Sequence, residues 1–207
     1  MTQTLQARNV TLRDLIDNFS LELVRDEQFF REWQDDLPAI SESEKAFLNQ
    51  VKEGYFNLID YPPLLEKAVQ IAILGPVLFV GGFFLPPFHI RAEKSIEISA
   101  ENEGMIIRGQ ADLVLLKEGF WVLAIESKEN AFSVEVGLAQ LLTYMLADPH
   151  STQRPSFGLI VAGGSFMFIK LLRGEINRYS RSKIFEISNP GNELYDVLAI
   201  LKRIGQF

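Results

Sequence analysis

Three residues carry chemistry by type and spacing. Asp112 is followed, after thirteen intervening residues, by Glu126-Ser127-Lys128, and both carboxylates fall within otherwise apolar stretches. An ionisable group in a buried strand is costly unless it is paired or bound to something. Two carboxylates held together repel, and a divalent cation between them removes the repulsion. A lysine beside them adds a positive charge for a phosphate or a developing oxyanion. Singly, each piece has an ordinary explanation: Glu-x-Lys at a strand end is commonly a surface pair, and a strand aspartate is commonly hydrogen-bonded locally. Their conjunction points to a site.

The elements that must position these residues follow from periodicity. Phe120–Lys128 reads as a central strand covered on both faces, and alternation places Glu126 and Lys128 on one face with Val122 and Ala124. In the preceding strand, 105–116, the even positions put Asp112 on one face with Gln110 and Arg108. Pairing through the Lys117-Glu118-Gly119 turn brings Asp112 beside Glu126. An alternating strand, Phe88–Ser99, completes a meander. His89 on its polar face reads as solvated, and Glu93, facing the same way, is a lesser candidate for approach to the site. Upstream, a helix opens at Tyr61-Pro62-Pro63 and runs to a stop at Gly75-Pro76. It is apolar nearly all round except for Glu66 and Gln70, four apart on one face.

Beyond the meander the pattern gives a helix over 133–147 and strands over 157–162, 166–172 and 175–180. A helix over 192–203 closes the chain. The first sixty residues read as helical and polar. A short helix starts at Thr11, and 26–36 carries Phe29, Phe30 and Trp33 at helical spacing, as core anchors or a partner surface. Ser41-x-x-Glu44 forms a capping box opening a helix through Phe47, Leu48, Val51 and Tyr55. The predicted fold is α/β (α+β), a mixed central sheet flanked by helices. Residues 1–60 form an N-terminal helical layer packed on a core of 61–207, one compact domain overall.

Composition narrows the chemistry. The chain has 207 residues, 47% hydrophobic and 23% charged, enough for one medium domain with a proper core. It has no cysteine, which excludes disulfides, a thiolate nucleophile and thiolate metal sites. With two histidines, any metal must be held mostly by carboxylates, which suits Mg²⁺ or Mn²⁺. The net charge of −7 does not advertise a nucleic-acid binder. The charge is uneven, however. Residues 1–150 hold 12 Lys+Arg against 23 Asp+Glu, and 151–207 hold 8 against 4. Arg173, Arg178, Arg181 and Lys183 lie close together there as a candidate phosphate patch or an ordinary solvated surface. The N-terminus shows no signal or lipidation pattern, so a cytoplasmic location is expected. Residues 71–88 are uncharged and approach transmembrane length, but Gly75-Pro76, Gly81-Gly82 and Pro86-Pro87 punctuate them as a buried helix and loop rather than a membrane span.

The spacing of Asp112 and Glu126-Ser127-Lys128 resembles the signature of the PD-(D/E)xK nuclease superfamily, as does the helix-strand-strand-strand-helix order around it. Gln140-Leu-Leu-Thr-Tyr144 resembles the Gln-x-x-x-Tyr element of that superfamily's RecB-like and type I restriction-subunit branches. Segments 29–34, 64–66, 81–88, 121–128 and 144–147 are similar to a group of cyanobacterial proteins labelled type I restriction endonuclease subunit R-like. The leading proline of the signature is replaced by Ala111. The resemblance implies a restriction-endonuclease-like core and a Mg²⁺- or Mn²⁺-dependent endonuclease acting on DNA. In that reading Asp112, Glu126, the Ser127 carbonyl and Glu66 serve the metal, and Lys128 serves the attacking water and the phosphorus. Gln140 and Tyr144 support the site or touch substrate. Restriction-system partner subunits and a homodimer are the implied assemblies. A non-catalytic nucleic-acid-binding or assembly subunit with the same fold is the alternative. No Gly-x-x-x-x-Gly-Lys-Ser/Thr occurs, so this chain alone is not an ATP-driven translocase.

Overall fold

The structure is a computed structural model, and it describes residues 3–62, 64–99, 105–118, 120–128, 137–148 and 154–207. An eight-stranded mixed sheet forms the middle layer. Its strands are β1 (Gln3–Gln6), β2 (Leu21–Leu23), β3 (Phe88–Ser99), β4 (Met105–Lys117), β5 (Phe120–Lys128), β6 (Ser156–Ala162), β7 (Ser165–Leu172) and β8 (Asn177–Glu186). They run in the order β1-β4-β5-β6-β7-β8-β2, with β3 also paired to β4. The β3–β4 and β4–β5 pairs are antiparallel, and β5 pairs parallel with β6. Such a parallel pair needs a crossover, which α5 (Leu138–Leu146) supplies.

Two apolar layers cover the sheet. On one face pack α2 (Glu42–Ile59), the segment α3 (Glu66–Val69) to α4 (Gly75–Val80), and α6 (Leu194–Ile204), over Leu115, Leu123, Ile125, Leu159 and Phe168. On the other pack α1 (Leu12–Phe19) and α5, over Ile107, Val114, Ala124, Ile160 and Ile169. β6 is buried at every residue, as a continuously apolar strand between two helical layers must be.

The local signals at helix starts hold. Thr11 and Ser41 both cap with reciprocal bonds to Asp14 and Glu44, satisfying donors that a helix start leaves open. Elsewhere the structure departs from the sequence reading. Residues 3–6 and 21–23 are strands that join opposite ends of the sheet, because sheet edges offer unpaired backbone groups that short segments can satisfy. Residues 27–30 and 32–34 are turns rather than a helix. Phe30 and Trp33 still anchor the core, with ring centroids 6.2 Å from Phe157 and 6.1 Å from Phe185 respectively. Nor does the helix after Leu65 stop at Gly75-Pro76. It widens into a π turn over Gln70–Leu74, with Gly75 N–H donating to the Gln70 carbonyl, and continues as α4. The extra residue relieves the clash and the missing donor that Pro76 would impose on a regular helix. The expected helix over 133–147 is helical from Leu138; its predicted start at 133–136 lies outside the described residues. β8 continues to Glu186, beyond the expected end at 180. Among the described residues no helix is long and apolar enough to cross a membrane.

Candidate active site

The site begins with a fork in the sheet. Along one edge of β4, β1 pairs with residues 105–108 and β5 pairs with residues 113–117. Residues 109–112 fall between the two partners. β3 runs along the other edge throughout, with Glu93 and Asp112 facing each other where the ladder is interrupted.

At that point both strands invert their faces. In β3, Phe88 and Ile90 pack on the α2/α6 side, whereas Ile96 and Ile98 pack on the α5 side. In β4, Ile107 and Ala111 lie on the α5 side and Leu113 and Leu115 on the other. A regular strand would keep each set on one face. Asp112 therefore does not sit in unbroken alternation with Gln110, Arg108 and Val114, as strict period-two reading expects. Glu93 absorbs the inversion with φ of 52°, a left-handed conformation that costs about 1–2 kcal/mol for an L-residue. The Gln110 side chain holds it, donating through Nε2 to the Glu93 carbonyl at 2.7 Å.

The β4–β5 register, continued one step past its last pair of Leu113 with Ile125, sets Asp112 opposite Glu126. The pairing that the turn itself sets, Lys117 with Phe120 and Leu116 with Trp121, would set it opposite Ile125, and the bulge between makes the difference. Val122 is displaced from the predicted face: it packs with Leu123 on the α2/α6 side, while Ala124 faces α5. The register shift in the β4–β5 ladder near Leu115 and Leu116 explains this. Glu126 is wholly buried, and so is Ser127. Asp112 Oδ2 accepts from the Ser127 backbone N–H at 2.7 Å and from its Oγ at 2.8 Å. Ser127 Oγ in turn accepts from Gln70 Nε2 at 2.5 Å, and the same amide lies 3.4 Å from Glu66 Oε1. Glu66 thus reaches Asp112 through Gln70 and Ser127. The Ser127 hydroxyl and Gln70 were not among the expected working groups; Gln70 was visible only as the second polar break in an apolar helix. Lys128 continues β5, its backbone in register with Ala162; its side chain lies outside the described residues.

Gln140 and Tyr144 meet each other and the fork. Gln140 Nε2 donates to the Tyr144 hydroxyl at 2.5 Å, and that hydroxyl donates to the Gln110 carbonyl at 2.9 Å. This carbonyl lies in the stretch of β4 between its two partners, so Tyr144 supplies a bond that a neighbouring strand would otherwise make. With 1% of its surface exposed, Tyr144 shapes the site without touching solvent. Burial raises its phenol above the ordinary value, and the negative charges of Glu126 and Asp112 add to the effect against the opposing Gln140 bond. Beside the pair opens a cavity of about 290 Å³ lined by Gln6, Arg8, Gly109, Gln110 and Gln140. A depression of about 490 Å³ adjoins it, sharing Gln6, Gly109 and Gln110 and adding Ser95, Glu97 and Arg108.

Among the described residues no three His, Asp or Glu side chains converge as a complete metal cage. The donor chemistry nonetheless suits a hard cation at two positions. The half-buried Asp112 accepts both of its described hydrogen bonds at Oδ2, and the wholly buried Glu126 places a second carboxylate on the neighbouring strand. The expected basic patch is elsewhere. Arg178, Arg181 and Lys183 are exposed on β8, three strands from β5, roughly 14 Å at ordinary strand spacing. His89 is exposed on β3. Comparison with protein-family models and with curated proteins gives no match.

Proposed function

We propose that the chain is a metal-dependent nuclease of the PD-(D/E)xK type that hydrolyses DNA phosphodiester bonds. The observation that carries this reading is the placement of Asp112 opposite the buried Glu126 at the fork of β4. Like-charged groups in one dry site are unfavourable unless a cation joins them. The helix, three antiparallel strands, crossover helix and parallel strand, in that chain order, support a restriction-endonuclease-like core.

In this mechanism Asp112 and Glu126 hold Mg²⁺ or Mn²⁺, with the Ser127 carbonyl and Glu66 as further oxygen donors. Such an ion, when bound, polarises the scissile phosphate and acidifies water. Ser127 fixes Asp112 with two hydrogen bonds to Oδ2, and Gln70 fixes Ser127. Lys128 orients the attacking water and neutralises charge developing on the phosphorus oxygens. Gln140 and Tyr144 keep the fork open, and the adjoining amide- and arginine-lined depression receives the strand. Partner subunits of a restriction-like system fit the same reading.

The test is incubation of the purified chain with plasmid, linear and single-stranded DNA plus Mg²⁺ or Mn²⁺. Cleavage is expected for the wild type and only background for Asp112→Ala and Lys128→Ala. Ser127→Ala should fall about 10–100-fold, the usual cost of losing a group that orients a ligand. No cleavage by the wild type, or equal cleavage by the variants, removes the nuclease reading. A second reading, a non-catalytic nucleic-acid-binding or assembly subunit, draws on the engagement of Asp112 Oδ2 by Ser127. DNA binding without cleavage in either metal would establish it.

A further inference from the structure

The longest stretch without Asp, Glu, Lys or Arg is 68–90, and it does not simply fill the core. Its inward residues Val69, Ile73, Leu74, Val77, Leu78 and Phe83 are buried, but Ile71 is 76% exposed, Phe79 67%, Phe84 53% and Leu85 64%. Two regular turns span about seven residues, and the residue inserted by the π turn makes eight, the separation of Ile71 and Phe79. The π turn thus brings these two onto one outward line. Phe84 extends it, its ring 6.3 Å from that of Phe79. Leu85, Pro86 and Pro87 follow, all exposed. The outcome is an aromatic and aliphatic ridge on the helix that continues from Glu66 and Gln70.

We propose that this ridge is the contact between two copies of the chain in a two-fold dimer. Two features select a second copy as the occupant. The first is charge. In a two-fold contact, residues near the axis meet their own counterparts. A chain of net charge −7 avoids superposing like charges at the axis when the face there carries none, and 68–90 is its longest segment without Asp, Glu, Lys or Arg. The same balance disfavours an anionic lipid surface or a nucleic acid, because no Lys or Arg lies within the segment, although the exposed Lys67 borders it one turn before Ile71. The second feature is area. Ile71, Phe79, Phe84, Leu85 and the two prolines present roughly 600 Å² to solvent, judged from ordinary side-chain areas. That is at the top of the ~300–600 Å² range of apolar patches on monomers and equals the per-partner share of a ~1,200 Å² specific interface.

Sedimentation equilibrium of the full chain between about 1 and about 100 µM tests this. Twice the monomer mass is expected for the wild type, and the monomer mass for Phe79→Asp and Ile71→Lys, since a two-fold contact introduces each charge twice. Both positions are exposed, so the variants should keep the wild-type circular dichroism spectrum. The absence of cysteine allows a second measurement. Phe79→Cys should cross-link to a covalent dimer under mild oxidation, whereas Glu175→Cys, exposed on the far loop before β8, should not. A wild type that stays monomeric overturns the proposal. So does an unchanged mass for both charged variants, or equal cross-linking of the two cysteine variants. Co-sedimentation of a monomer with phosphatidylcholine–phosphatidylglycerol vesicles would assign the ridge to a bilayer instead and also overturn it.

Discussion

Lys170 and Asp112 each interrupt an apolar strand of this sheet, and they are settled in different ways. Lys170 lies in β7 between Phe-Met-Phe-Ile and Leu-Leu, nearly buried, with Nζ 2.5 Å from Glu32 Oε1 and 2.8 Å from the Phe29 carbonyl. It is an ion pair complete within the chain, and it fastens the turns around residue 30 to the sheet. Asp112 lies in β4 amid Ala, Leu, Val and Leu. Across the strand from it stands another carboxylate, and its hydrogen bonds come from a serine. The first arrangement sets its charge against an opposite one; in the second, the described hydrogen bonds of Asp112 come from a neutral residue. Ionisable groups in unusual surroundings gather at functional sites, and ion pairs that fasten structure share that pattern.

Mutating each pair should separate the two roles. Lys170→Ala is expected to cost about 3–5 kcal/mol, because Glu32 is left buried without its counter-charge. The double variant Lys170→Met with Glu32→Leu should recover most of this loss in urea unfolding. Equal losses in single and double variants would mean that the pair matters by packing alone.

Saturating the site with Mg²⁺ at a hundred times its Kd should raise unfolding free energy by about 2.7 kcal/mol. Asp112→Asn should abolish that increment, and the Lys170/Glu32 double variant should retain it. An increment that survives Asp112→Asn places the ion elsewhere.

Tyr144→Phe removes the bond to the Gln110 carbonyl and should cost about 1–1.5 kcal/mol at neutral pH. Its pH dependence has a definite sign. Burial raises the Tyr144 phenol, as it does those of Tyr55 and Tyr179. Above pH about 10 the unfolded chain therefore binds fewer protons than the folded one, and stability falls as pH rises through that range. Removing the Tyr144 hydroxyl should make this alkaline loss shallower in urea midpoints measured across pH 9 to about 11. The smallest effect belongs to Asp112→Asn without metal. Stability should stay within about 0.5 kcal/mol of wild type or rise, because one of two facing carboxylates is neutralised. A large loss would show that Asp112, like Lys170, is held for architecture.

Much of the fold was legible from local chemistry. The meander, its hairpin connection and the two capping boxes depend on residues adjacent in sequence, so their signals survive without tertiary context. The short strands β1 and β2 did not, since four- and three-residue segments acquire strand structure only from the edges they join. The π turn was hidden for a related reason. Gly75-Pro76 reads as a stop, and packing of Val77 and Leu78 into the core outweighs that local penalty.

For the site, sequence alone determined which ionisable groups interrupt apolar strands and that a hairpin joins the strands that carry Asp112 and Glu126. Turn length sets the first pairs, Lys117 with Phe120 and Leu116 with Trp121, but the bulge beyond them moves the register by one residue, and only that shift brings Asp112 opposite Glu126. Only the tertiary structure decided how the groups are satisfied. The inversion at Glu93 and Asp112, the bonds from Ser127 and Gln70, and the Tyr144 bond to Gln110 join residues up to 57 apart in sequence. The completed pair of Lys170 with Glu32 spans 138. Such long-range pairings carry no periodicity, so the feature distinguishing a structural charge from a chemical one is fixed only when the chain closes on itself.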